Sequence, residues 1–332
     1  MNDDVERRRK LSIQAALCGL LLAVTANTYA GERQISLDWL KVLAFAAHQT
    51  DYSGVFVYQY DNHVETSRIT HVVEADGEYE KLESLDGPKR EIIRHHGQVW
   101  CYINHKMMQV DSQQPRSRFP ALLPEQISTL STNYKAMEAG VERVAGYNAQ
   151  VFLFKPNDNL RYVHKMWAHT DSGLLLKTVV LGAKNQVVEQ YTFTQLQIGG
   201  SIDRSWIGEN KLPQHNAESP MMAKPAKGDV PMDSGWVVGA IPVGFKKTLE
   251  IQRAMRGKHA PVTQMVFSDG LSAISIFIEP DDGDEDDTEG LSSRGAVNLH
   301  HKVLDKHLIT VVGEVPPRTV MQVLDSVRYN GK

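Results

Sequence analysis

The thirteen histidines of this 332-residue chain are its most obvious candidates for acid-base or metal chemistry, and their spacing decides what they can do. No HExxH and no CxxC pattern occurs, so the usual zinc spacings are missing. Two doublets, His95-His96 and His300-His301, come nearest. Neighbouring side chains on a regular strand point to opposite faces, so neither doublet is expected to converge on one ion. The metal assignment is therefore none. Serine offers no GxSxG elbow; Ser53-Gly54 and Ser268-Asp269-Gly270 read as turn and strand-end residues. Cys101 lies between Trp100 and Tyr102 and reads as a small apolar filler rather than a nucleophile. The acidic run from Glu279 to Glu289 lacks the twelve-residue spacing of a calcium loop. It reads as a solvated loop, with a docking face for a basic partner as the alternative. No catalytic residue and no cofactor are assigned, and the chain is expected to work by binding, not as an enzyme.

Aromatic residues are more informative. Phe56, Tyr58, Tyr60, Tyr79, Trp100, Tyr102, Phe152, Phe154, Tyr162, Trp167, Tyr191 and Phe193 recur along the first two thirds of the chain, on segments of strand periodicity. In a closed sandwich they would be ordinary core. In a curved, half-closed sheet they would line an apolar trough, where each buried methylene of a lipid tail gains about 0.8 kcal/mol. The sequence leaves both open. Phe56, Tyr58, Trp100 and Trp167 are the candidates for an acyl-binding trough, and Trp236, Phe245 and Phe277 for contact with a protein partner.

The elements that would position these residues follow from periodicity. Residues 1–30 combine a basic cluster, Arg7-Arg8-Arg9-Lys10, an apolar stretch from Ala15 to Ala26 and the small-x-small end Thr28-Tyr29-Ala30. This reads as a cleavable signal peptide and implies a periplasmic location. A membrane anchor is the competing reading, but the apolar stretch is shorter than the roughly 18 residues a span needs. Cys18 lies in this segment without the small residue before it that lipoprotein processing expects, which leaves Cys101 as the one cysteine beyond it and no intrachain disulfide. The net charge of −4, with basic residues scattered along the chain, speaks against a nucleic-acid partner.

Leu37 to His48 has helical apolar spacing, with Ser36 and Asp38 as start signals. From Tyr52 the period drops to two. Strands are expected over 52–60, 64–73, 79–85, 91–95, 99–103 and 106–110, then over 134–144, 147–156, 162–169, 174–181 and 187–198. Between the two groups Pro115, Pro120 and Pro124, with Leu122, Leu123 and Ile127, break the pattern into a segment that could lie across the sheet as a lid. Residues 208–235, with Pro213, Pro220, Pro225 and Pro231, read as a linker. Beyond it, strands over 236–240, 249–255, 262–268, 271–279, 297–304 and 307–312 and a helix over 318–327 make a second, smaller α+β domain. The expected division is thus 1–30 signal peptide, 31–207 first domain, 208–235 linker and 236–332 second domain.

Several strings resemble a known family. Tyr52-Ser53-Gly54-Val55-Phe56-Val57-Tyr58, Leu82-Glu83-Ser84-Leu85-Asp86-Gly87-Pro88-Lys89-Arg90-Glu91-Ile92-Ile93-Arg94, and Trp167 with Asp171-Ser172-Gly173-Leu174-Leu175-Leu176-Lys177 look like the MucB/RseB family of periplasmic negative regulators of the sigma-E/AlgU type of envelope-stress sigma factor. Trp236, Pro242-Val243-Gly244-Phe245, the run from Phe267 to Glu279 and Gly313-Glu314-Val315-Pro316-Pro317-Arg318-Thr319-Val320 resemble the same family towards the C-terminus.

The resemblance implies an α+β protein: an N-terminal LolA/LolB-like antiparallel half-barrel with helices on its concave side, plus a smaller C-terminal domain that binds the anti-sigma factor. It further implies a partner, the periplasmic part of a membrane-bound anti-sigma factor of the RseA/MucA type, shielded from a DegS-like protease until lipopolysaccharide or a lipoprotein's acyl chains relieve the protection. The alternative is a periplasmic lipid or lipoprotein carrier of the LolA/LolB type, which would have no need of residues 236–330. Self-association into a homo-oligomer is left open.

Overall fold

The computed structural model describes residues 33–104, 106–110, 118–124, 127–208, 233–255, 260–281 and 290–331. The expected signal peptide, most of the linker, Pro115 and acidic residues 282–289 lie outside them. Among the described residues no helix is long and apolar enough to cross a membrane.

After a two-residue strand β1 (Arg33–Gln34), helix α1 (Leu37–Gln49) opens the fold, with the Ser36 hydroxyl accepting from the Trp39 N–H at 3.2 Å. It buries Leu40, Leu43, Ala44 and Ala47 at i, i+3, i+4 and i+7, with Ala46 widening the stripe. Leu37 and Val42, which the apolar spacing would also place inward, are exposed.

The large sheet is formed by β2 (Tyr52–Tyr60), β3 (His63–Glu74), β4 (Gly77–Ser84), β5 (Arg90–His95), β6 (Gln98–Ile103), β7 (Lys106–Val110), β8 (Tyr134–Val144), β9 (Tyr147–Pro156), β10 (Val163–His169), β11 (Leu175–Leu181) and β12 (Val187–Ile198). Their order is β8-β9-β10-β11-β12-β2-β3-β4-β5-β6-β7. One pairing outside sequence order joins the two meanders: β12 runs antiparallel to β2, with Phe193 opposite Phe56 and Tyr191 opposite Tyr58. The sheet does not close on itself, which leaves an open half-barrel.

Register divides its side chains between two faces. Phe152, Met166, Thr178 and Tyr191 stand opposite one another in successive strands, and Tyr58 continues the row. On this face α1 packs, with Trp39 6.2 Å from Phe152 between ring centres. Residues 118–124 and the short helix α2 (Ser128–Asn133) cover it further, through Phe119, Leu123, Ile127 and Leu130. The opposite face carries a separate cluster of Val72, Tyr79, Ile93 and Trp100, roofed by Ile202 and by Trp206 of the short helix α3 (Ser205–Gly208).

The C-terminal domain has a six-stranded antiparallel sheet in the order β14 (Lys246–Arg253), β15 (Val262–Ser268), β16 (Ala273–Pro280), β19 (His307–Gly313), β18 (Val297–Leu304) and β17 (Gly290–Arg294). Helix α4 (Pro317–Asp325) buries Val320, Val323 and Leu324 against Ile274, Ile276, Ile309 and Val311. A two-stranded ribbon pairs β13 (Trp236–Val238) with β20 (Val327–Tyr329).

Candidate functional site

The structure does not gather the four trough candidates on one face. Phe56 is buried on the helix-covered face, 5.3 Å from Phe119 and 6.0 Å from Phe193 between ring centres. Phe119 also meets Phe193 at 5.0 Å and stacks on Tyr191 at 5.5 Å. The apolar face is thus roofed by a strap of the chain's own Phe119, Leu123, Ile127 and Leu130. Trp167 stands opposite Lys177 and Val151 on the other face. There the Lys165 and Lys177 ammonium groups lie 4.6 and 4.7 Å from its ring centre, and its indole N–H donates to Glu142 at 2.8 Å. Trp100 is also on that face, buried beneath Trp206 and Ile202.

Tyr58 shares the face of Phe56 but belongs to a strip of contact with the C-terminal domain. It stacks on Tyr191 at 4.3 Å, and its hydroxyl donates to Glu189 Oε2 at 3.0 Å. The same oxygen accepts the Ala296 N–H of the β17–β18 turn at 3.0 Å. Burial pushes the Glu189 carboxyl above its ordinary range, and these two donors pull it back. The Arg294 guanidinium sits 5.2 Å from the Tyr60 ring and pairs with Glu65 at 2.8 Å.

The centre of this strip is Arg161, which no sequence signal marked. Its Nε donates to Asp269 Oδ2, with both side chains almost wholly excluded from solvent, and it also pairs with Asp158 and donates to the Val243 carbonyl. Tyr134 donates to the same Asp269 oxygen at 3.0 Å, while Asp269 Oδ1 accepts the N–H groups of Leu271 and Ser272. The carboxylate therefore closes the turn after β15 and anchors the first domain at once. Ser268-Asp269-Gly270 was legible as a turn; the second role, set by a residue 108 positions away, was not. Further contacts extend the strip: Asn298 Nδ2 donates to Tyr162 at 3.0 Å and to the Val315 carbonyl at 2.8 Å, and the Thr319 hydroxyl donates to the Leu160 carbonyl at 2.9 Å.

Of the partner candidates, Trp236 is buried in the small-domain core, beside Tyr329 and His307. Phe245 is buried with the Arg161 guanidinium 4.8 Å from its ring centre, so it faces the first domain. Gly244 before it has φ of 92°, a conformation that favours glycine, and a Cβ there would lie 1.9 Å from the side-chain Oδ1 of Asn133, so a larger residue would have to displace that side chain. Phe277 is half-buried and alternates with Ile276 and Ile278, so it stands on the face that α4 leaves uncovered.

Comparison with known proteins gives this architecture its relatives. Residues 36–211 match the MucB/RseB N-terminal domain and residues 230–328 the MucB/RseB C-terminal domain. The chain is 34% identical over 318 residues to the sigma factor AlgU regulatory protein MucB of Pseudomonas aeruginosa, covering 94% of this chain and 95% of that protein. It is 24% identical over 320 residues to the sigma-E factor regulatory protein RseB of Haemophilus influenzae, covering 96% and 98%. The solved structure of the Pseudomonas aeruginosa MucA/MucB complex aligns at a TM-score of 0.69 and 30% identity, over 89% of this chain and 99% of that one. A crystal structure of MucB aligns at 0.61 and 30% identity, over 88% and 97%. With both of its domains matched and its relatives aligned almost end to end, the chain belongs to the MucB/RseB family.

Proposed function

We propose that this protein binds the periplasmic segment of a membrane-bound anti-sigma factor and shields it from regulated proteolysis, and that lipopolysaccharide or a lipoprotein's acyl chain relieves the shielding. The observation that carries this reading is the likeness, at 30% identity over 89% of the chain, to a MucB solved in complex with MucA. It includes export to the periplasm by cleavage after residue 30 and the division into a first domain of 31–207, a linker of 208–235 and a second domain of 236–332.

The acyl chain would enter the face that Phe56 and Phe193 share, displacing Phe119 and Leu123 of the strap. Partner contact is assigned to Phe277 on the uncovered face of the second sheet, with Trp236 and Phe245 holding that domain's shape. Release follows from linkage: a ligand that prefers the partner-free arrangement weakens partner binding by its differential affinity and by no more. The strip centred on Arg161 and Asp269 is the material through which a change at the strap reaches the second domain.

The test is cleavage of the host's anti-sigma periplasmic segment by its site-1 protease, with and without this protein. The reading requires slower cleavage with the protein present and restored cleavage on adding lipopolysaccharide. Equal cleavage rates in its presence and absence would overturn it.

A further inference from the structure

On a regular strand the side chains of the His95-His96 doublet would diverge. The backbone removes that objection. Strand β5 ends at His95, and the β5–β6 hairpin turns through His96 and Gly97, both left-handed, with φ of 49° and 69°. The turn brings the His96 ring beside the His95 ring, with 3.8 Å between centres. The β3–β4 turn at the same end of the sheet contributes Asp76, because Tyr79 stands opposite His95 in the register. One carboxylate oxygen of Asp76 and one ring nitrogen of each histidine lie within 4.8 Å of one another.

The surroundings favour a ligand set over a chance cluster. His95 Nδ1 lies 3.0 Å from the Glu78 carbonyl, which can only accept, so Nδ1 carries the hydrogen. In the neutral ring this leaves the Nε2 lone pair turned towards Asp76 Oδ2 at 3.8 Å, two electron-rich atoms with no hydrogen bond between them. Tyr79 stacks on the His95 ring at 3.6 Å and 11°, and its hydroxyl donates to Asp76 Oδ2 at 2.7 Å, fixing the orientation of imidazole and carboxylate together. A backbone carbonyl on the far nitrogen of a histidine and a hydroxyl on a carboxylate are the supports that metal ligands typically have.

We propose that Asp76, His95 and His96 bind one divalent transition-metal ion of the zinc or copper class. Two imidazoles and a carboxylate suit these ions, whereas calcium and magnesium prefer sets made of oxygen alone. Three protein ligands at an exposed edge leave the remaining positions to water, so the ion exchanges with solvent. Bound there, it ties the β3–β4 turn to the β5–β6 turn beside a cavity of about 450 Å³ lined by Glu74, Ala75, Asp76, Tyr79, Arg204 and Ile207. Trp206, which follows Arg204, packs edge-on against Tyr79, so the ion would stiffen the end of the sheet where the chain leaves the first domain.

The test is calorimetric titration of the full chain, purified without a histidine tag, with zinc and with copper(II), together with the electron paramagnetic resonance spectrum of the copper form. The expected result is one ion per chain, with two nitrogen donors in the copper spectrum. His96→Asn keeps a residue that tolerates the left-handed turn and should weaken binding at least about tenfold. Asp76→Asn should do the same, so the two variants check each other if either perturbs folding. His48→Gln is the control, because His48 meets the Glu78 carboxylate, whereas His95 uses the backbone carbonyl of that residue; it should leave the affinity unchanged. Failure to bind one ion, or unaltered binding in both His96→Asn and Asp76→Asn, overturns the proposal.

Discussion

Asp269 illustrates what one buried carboxylate does here. It neutralises Arg161, accepts from Tyr134 and closes its own turn. Asp269→Asn keeps an acceptor for the turn but strips the guanidinium of its main counter-charge. Breaking a buried pair from one side typically costs about 3–5 kcal/mol; Asp158 remains as a second partner of Arg161, so the lower end is expected. Urea unfolding measures it, and a loss below about 1 kcal/mol would show that the pair is not buried as described. His164 is the second case. Its Nε2 is buried without a hydrogen-bond partner, and burial pushes the ring's pKa from 6.5 down to about 4, against a weaker upward pull from Asp269. The unfolded chain therefore takes up this proton first. The stability tied to the neutral ring is complete above pH 6.5 and is lost as pH falls towards about 4. His164→Leu should flatten the stability profile across that window. Glu78, held at about 2 by His48 and His71, contributes a separate loss only as pH falls from 4.5 towards 2. None of this was visible in the sequence, because each effect depends on a partner brought in by the fold.

At the level of elements much more was legible. The expected spans 52–60, 106–110, 134–144, 147–156, 187–198, 262–268 and 297–304 coincide with strands of the structure, since alternation on a half-buried face leaves a direct trace. The pattern gave no sign of β17, whose Gly-Leu-Ser-Ser-Arg does not alternate, or of β20, which the helical spacing of 318–327 ran into. It also could not reveal the β12–β2 pairing, which decides that Phe56 and Trp167 face opposite ways. The strap across the sheet was readable as a proline-broken apolar segment, but not how completely it fills the face. Phe119→Ala tests that filling. Removing a buried phenylalanine costs about 3–5 kcal/mol where the cavity stays open. The account expects such a loss together with tighter binding of a fluorescent fatty-acid probe. A stable variant with unchanged probe binding would mean that the strap is not what closes the face.

For the whole molecule, the contact strip joins the strap's neighbourhood to the second sheet. Tyr134 follows directly on α2 and reaches Asp269, and Asn133 lies against Gly244. Gly244→Ala forces a side chain into that approach, in a backbone conformation that favours glycine. It should weaken partner binding through the strip; unchanged affinity in a folded variant would place the coupling elsewhere. The sequence could anticipate two domains but not this strip, because periodicity marks which elements form and not which distant residues, such as Arg161 and Asp269, the fold brings together. The most direct measurement is a calorimetric titration of the chain with the periplasmic segment of the anti-sigma factor from the same host, repeated in the presence of lipopolysaccharide. The account predicts saturable one-to-one binding whose affinity falls when the lipid is added. Absence of binding, or an affinity indifferent to the lipid, would contradict it.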